Sequence, residues 1–127
     1  MKTYRINRLP ISRDFKTGTL MFKEDVRTIV SKIKSAETYW SHFKIGKTGN
    51  TVEERSVEPD YINDYDGIIE LYISSSKQLV SDMEAALIDS FKNDPKCDNG
   101  KGGKQSLNDK MADSDKYVVY LVFKEKK

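Results

Sequence analysis

Cysteine and histidine each occur once, as Cys97 and His42, and their scarcity excludes more chemistry than any single motif supplies. A lone thiol forms no intrachain disulfide and no thiolate metal cluster. Zinc sites built from several Cys and His residues lack their ligands, so a bound metal is expected to be a hard cation on oxygen. No apolar run approaches the roughly 18 residues that span a bilayer. The N-terminal Met1-Lys2-Thr3-Tyr4-Arg5 is polar and has no apolar centre of the secretory kind. A cytoplasmic protein with no membrane partner is the expectation. Charge of one sign is also missing: 22 basic residues oppose 20 acidic ones, for a net charge of +2. Binding to nucleic acid would therefore have to come from local basic clusters and not from a global field.

What is present is 127 residues with a third of them charged, enough for one domain around a single modest core. Thr3 to Leu9 can form a strand that Pro10 ends or confines to an edge. Thr19 to Phe22 reads as a short extended piece. Val26, Ile29, Val30 and Ile33 then recur at helical spacing, which predicts an amphipathic helix from about Lys23 to Ala36. Tyr39 to Lys47 reads as a strand, and Ile68 to Ser74 as another after the Asp66-Gly67 turn. Ser75 to Asn93 is a second helix whose inward stripe is Val80, Met83, Leu87, Ile88 and Phe91. Residues 93 to 105 form a Gly- and Lys-rich loop, with a short helix expected near Ser106 to Met111. The continuous apolar run from Tyr117 to Phe123 is that of a central strand. The sum is an α+β fold, a small and mostly antiparallel sheet of three to four strands packed by two to three helices. Residues 1–36 form a strand-and-helix lead-in, 39–99 the core, and 100–127 the loop and closing strand.

Two places carry candidate chemistry. The stretch Phe43-Lys44-Ile45-Gly46-Lys47-Thr48 reads as a strand running into a glycine turn, and side chains on a strand alternate between faces. Gly46 has no Cβ, so another group can approach closely there. Thr51-Val52-Glu53-Glu54 matches a capping box that opens a helix and carries Arg55 about one turn in. A strand lysine and a helix arginine converging across a glycine turn make an anion site, although surface ion pairing is the commoner fate of such an arginine. Glu84 is the second place, a carboxylate inside the apolar stripe of its helix. Either it is a ligand held at the rim of the core, or Ser81-Asp82-Met83-Glu84 is itself a capping box that starts the helix. His42 and Cys97 read as isolated residues with structural roles.

Phe43-Lys44-Ile45-Gly46-Lys47-Thr48, with Arg55 nine residues after the glycine, resembles the second half of a GIY-YIG nuclease module. It is closest to the variant, found in some restriction endonucleases, in which lysine replaces the first tyrosine of the YIG half. Glu84-Ala85-Ala86-Leu87-Ile88 and the later Asn99 are similar to the family's E-x-x-L-I helix and trailing asparagine. The resemblance covers Phe43 to Asn99, a little under half the chain. It implies a metal-dependent endonuclease that hydrolyses DNA phosphodiester bonds. Glu84 would hold one Mg²⁺ or Mn²⁺, and Arg55 would donate to the phosphate oxygens. A tyrosine would take the proton of the attacking water, with Lys44 lowering its pKa. Lys47, Asn99, Lys101 and Lys104 would contact the DNA.

The first half of the family pattern is where this chain departs from it. Tyr4, in Tyr4-Arg5-Ile6, is the first candidate for the missing tyrosine. Tyr120, in Val118-Val119-Tyr120-Leu121-Val122, is the alternative and would require a permuted strand. Tyr39 lies on the same stretch as Lys44. The rival function is a non-catalytic module on the same scaffold that binds nucleic acid or blocks a protein partner. A homodimer or partner protein would supply the sequence specificity that so short a chain lacks.

Overall fold

The computed structural model describes residues 2–4, 10–13, 18–49, 51, 54, 56–99, 111 and 113–126. The expected strand residues 5–9, residues 106–110 of the expected short helix, and Arg55, Lys101 and Lys104 lie outside the described residues. Five strands and two helices organise the rest. They run β1 (Lys2–Tyr4), β2 (Ile11–Arg13), α1 (Thr19–Ala36), β3 (Trp40–Thr48), β4 (Gly67–Ser74), α2 (Lys77–Ser90) and β5 (Tyr117–Glu125). Short helical turns occupy Glu37–Tyr39 and Pro59–Ile62.

Helix α1 starts four residues earlier than the apolar periodicity alone predicts, and Thr19 to Phe22 is helical, not extended. The reason lies in Phe22, which packs on the core and extends the stripe of Val26, Ile29 and Ile33 by one turn. The same stripe carries Asp25, which is buried at 4% exposure. A bare carboxylate there would be costly, and Arg13 of β2 answers it with two hydrogen bonds, Nε to Oδ2 at 2.7 Å and Nη2 to Oδ1 at 3.0 Å. This pair ties β2 to α1. Helix α2 begins at Lys77, where the Ser76 hydroxyl accepts the Leu79 N–H at 3.1 Å. A serine cap here settles where the helix starts.

The sheet is mixed and mostly antiparallel, in the order β1, β4, β5, β3, with β2 pairing β4 as well. β1 and β2 share one lane: β1 runs parallel to residues 67–69 of β4 and β2 to residues 72–74. β5 is central and is buried from Tyr117 to Phe123, as its unbroken apolar run predicts. It pairs antiparallel with β3 on one side and β4 on the other.

The two faces of the sheet differ. Both helices cover one face, where Phe43, Ile45, Ile69, Leu71, Val119 and Leu121 meet Ile29, Ile33, Val80, Met83 and Leu87. Burial of each such side chain stabilises by about 1.5–3 kcal/mol. Trp40 stacks on Phe123 with ring centroids 4.9 Å apart, and Phe91 meets Phe43 edge-on at 5.4 Å. The second face holds a smaller cluster of Ile68, Val118, Tyr120 and Val122, covered by Tyr61, Tyr65 and Ile73.

β3 is an edge strand, and the segment after α2 closes its open side. Phe43 N–H donates to the Lys96 carbonyl at 2.9 Å, and Asp98 N–H donates to the Phe43 carbonyl at 2.7 Å. Asn99 then acts as a further rung: Ile45 N–H donates to its Oδ1, and its Nδ2 donates to the Ile45 carbonyl, each at 2.8 Å. Ile45 is 1% exposed, so water cannot readily replace these bonds. Asn99→Ala is expected to cost about 2 kcal/mol in urea unfolding. A cost within experimental error of zero would contradict this bracing role.

Candidate functional site

The site is best built outward from β3. Residues directly opposed in an antiparallel pair share a face of the sheet. Lys44 stands opposite Val122 and Gly46 opposite Tyr120, whereas Lys47 stands opposite Val119. Val122 and Tyr120 belong to the second face and Val119 to the helical face. The strand's alternation therefore points Lys44 away from the helices and Lys47 towards them.

Glu84 lies well inside α2, seven positions after its first residue. The alternative in which Ser81 to Glu84 starts the helix is thereby excluded. Its carboxylate Oε1 is 3.5 Å from Lys47 Nζ, and both side chains are largely buried, at 19% and 13% exposure. Lys47 also donates to Ser81 Oγ at 3.4 Å, one turn earlier on α2. Lys47, Ser81 and Glu84 thus form a polar group at the end of β3, beside the glycine turn. Beyond that turn Thr51 Oγ1 accepts the Glu54 N–H at 3.2 Å and donates to Glu54 Oε1 at 3.4 Å. This cap is the one expected to lead into Arg55.

Lys44 and Glu84 are not brought together. Lys44 is exposed on the opposite face of the sheet from α2, and Lys47 is the lysine that reaches Glu84. The tyrosine candidates separate as clearly. Tyr4 lies in β1 opposite Ile69, with β4 and β5 between it and β3, about 14 Å away at the usual strand spacing. Tyr39 is 75% exposed in the turn before β3. Tyr120 lies directly across from Gly46, and a Cβ built on Gly46 would meet its Cζ and hydroxyl at 2.5 Å. The group that needs the missing Cβ is thus an aromatic ring, not a phosphate or another backbone. Tyr120 is 2% exposed, and its hydroxyl shares a 2.6 Å hydrogen bond with that of Tyr61. The amide of Asn99 is engaged by Ile45 at both ends, as described above.

Several polar groups escape a linear scan of the sequence. His42 is not isolated: its Nδ1 lies 2.5 Å from Asp98 Oδ2, and the Tyr65 hydroxyl donates to the same oxygen at 2.7 Å. Burial, reinforced by Asp98, pushes the Tyr65 phenol far above its ordinary range. Burial and the charge of Asp25 likewise push the Tyr72 phenol up to about 12, against the pull of Arg13. Cys97 is buried behind β3, with Sγ 3.4 Å from Asn99 Oδ1.

Glu37 is a strongly displaced carboxyl. Burial, then the hydrogen bond and charge of Asp94, push it up to about 7, while Lys96 and Lys34 oppose the shift. A carboxyl raised in the folded state gives stability that is present below its unfolded pKa and lost as pH rises through the folded one. Stability is therefore expected to fall between about pH 4.5 and pH 7 by less than the full shift implies, because solvent screens a partly exposed group. Glu37→Gln should flatten that limb in thermal melts taken across the range. An unchanged slope would show that Glu37 is not its source.

Among the described residues no three His, Cys, Asp or Glu side chains converge to hold a metal, and no helix is long and apolar enough to cross a membrane. Compared with protein-family models, curated proteins and solved structures, the chain matches none.

Proposed function

We propose that the chain is a cytoplasmic, metal-dependent endonuclease that hydrolyses DNA phosphodiester bonds, similar to GIY-YIG nucleases. The observation that carries this reading is Glu84. It is a carboxylate fixed in mid-helix at the rim of the core, 3.5 Å from Lys47, the next-to-last residue of β3. A single carboxylate suits Mg²⁺ or Mn²⁺, because Mg²⁺ keeps most of its waters and takes one or two carboxylates together with substrate phosphate oxygens. When bound, such an ion would supply charge neutralisation at the scissile phosphate and leaving oxygen.

The chain's own residues divide the remaining work. Glu84 holds the ion. Lys47 offsets the carboxylate's charge and stands ready to turn towards a phosphate oxygen. Arg55 donates to the non-bridging oxygens as negative charge builds on them. Tyr120 acts as a positioning residue whose ring fills the space above Gly46 and fixes the strand from which Lys47 projects. Lys44 meets DNA from the exposed face of β3.

A specific observation favours a second reading, a module that binds nucleic acid or a protein partner without cutting. The tyrosine opposite Gly46 is buried and bonded to Tyr61, and Lys44 lies across the sheet from Glu84. Supercoiled plasmid incubated with the protein and Mg²⁺ or Mn²⁺ separates the two. Nicking that stops with EDTA is expected. A salt-sensitive gel shift without nicking would replace the enzyme with the binding module, and neither effect would point to a protein partner.

A further inference from the structure

Helix α1 plays no part in the site around Glu84, yet its outer surface has a definite character. It carries Lys23, Arg27, Lys32 and Lys34 against two carboxylates, Glu24 and Asp25. Asp25 is turned inward to Arg13, which leaves Glu24 alone on the helix to oppose four cations. In a chain whose net charge is only +2, this is a local concentration of positive charge.

The concentration is also shaped. Between α1 and the end of α2 lies an open groove of about 650 Å³ with Val26 and Val30 at its base and Arg27, Ser31, Lys34 and Ser90 along its sides. Among the described residues no carboxylate lines it. The acidic neighbour of Ser90, Asp89, is paired with Lys92 at 3.3 Å. Arg27 and Lys34 have no hydrogen bond or ion pair to any described residue, and Lys34 feels the nearby Glu37 carboxyl, which lies outside the groove lining, only through its charge. Arg27, Ser31 and Lys34 fall at i, i+4 and i+7, so they share one side of the helix. Seven residues place the two cations about 10.5 Å apart along the axis, far enough for each to take a different phosphate of one strand.

We propose that this groove seats the sugar–phosphate backbone of a DNA duplex, a proposal that rests on the reading that the chain acts on DNA. Arg27 and Lys34 each take a phosphate. Ser31 donates its hydroxyl between them, Ser90, whose hydroxyl donates to the Ala86 carbonyl at 2.9 Å, bounds the far side, and the valine floor packs against deoxyribose. Contacts of this kind set register and affinity without reading sequence. They hold the duplex against the same helical layer that carries Glu84.

The test is fluorescence anisotropy of a labelled duplex in EDTA, so that binding is read without cleavage, across a salt series. Arg27→Glu/Lys34→Glu is compared with Lys116→Glu/Lys126→Glu, which makes the same change of net charge at exposed positions outside the groove lining. The groove pair is expected to weaken binding about tenfold or more and to lower the salt slope by about 1.8, at 0.9 for each phosphate no longer neutralised. Circular dichroism and thermal melts check that both variants are folded. Equal weakening by the control pair would mean diffuse attraction and overturn the proposal, as would unchanged binding by the groove pair. Loss of binding to phosphatidylserine vesicles with DNA binding intact would assign the groove to a membrane surface and overturn it too. A chain that binds DNA through the groove but never cuts it would lose the hydrolytic reading and keep this one. A chain that cuts DNA normally and with unchanged affinity after both reversals would do the opposite.

Discussion

Gly46→Ala is expected to destabilise the protein by about 2–3 kcal/mol, because the new methyl overpacks a filled space. The added carbon would lie 2.5 Å from Tyr120 Cζ and its hydroxyl, and 2.9 Å from Cε2. A flexible side chain could swing away at little cost. Tyr120 cannot, because it is 2% exposed, sits on the central strand and is bonded to Tyr61 at 2.6 Å. The midpoint of thermal unfolding should fall by about 10 °C. A double-mutant cycle with Tyr120→Leu isolates the cause. In the leucine background the ring tip is gone, and Gly46→Ala should cost less than about 1 kcal/mol. An equal cost in both backgrounds would place the strain elsewhere.

Much of this architecture can be read from local pattern. The apolar stripes of α1 and α2, the continuous run of β5, and the Thr51 cap all follow from residues within one or two turns of each other, where sequence spacing is spatial spacing. The α+β, mostly antiparallel sheet follows from their order. The alternation of β3 also contains more than its lysine count first shows. If Phe43 and Ile45 face the helices, Lys44 faces away and Lys47 faces in, so Lys47 was always the strand lysine able to meet Glu84. What local pattern does not contain is pairing between distant segments. His42 and Asp98 are 56 residues apart, and Tyr61 and Tyr120 are 59 apart. Nothing near either member of these pairs announces the other. Asp25 gives a partial signal, as a carboxylate four and eight residues before two buried isoleucines, but its partner Arg13 is fixed only by the parallel docking of β2 on β4. Thr19 to Phe22 failed as a strand because propensity over four residues is weak beside a helix able to bury one more aromatic.

Glu84→Gln is expected to reduce DNA cleavage by about 10³-fold or more, equivalent to about 4 kcal/mol of transition-state stabilisation. A carboxamide keeps the shape of the side chain and its place on α2 but removes the charge that would bind a divalent ion. The fold should tolerate the change. Lys47 keeps its hydrogen bond to Ser81 at 3.4 Å, and the carboxamide oxygen can still accept from the ammonium that stands 3.5 Å from Glu84 Oε1, so the buried lysine is not left without a partner. A change that removed activity by unfolding the chain would show in its melting curve, so rate and stability separate cleanly.

The most direct measurement is therefore the single-turnover cleavage rate of one plasmid substrate in saturating Mg²⁺ by the wild-type chain and by Glu84→Gln, with a thermal melt of each. The account predicts measurable nicking by the wild type, a fall of at least about 10³-fold in the variant, and melting points within a few degrees of each other. Equal cleavage by the two proteins, or no cleavage by the wild type, would contradict it.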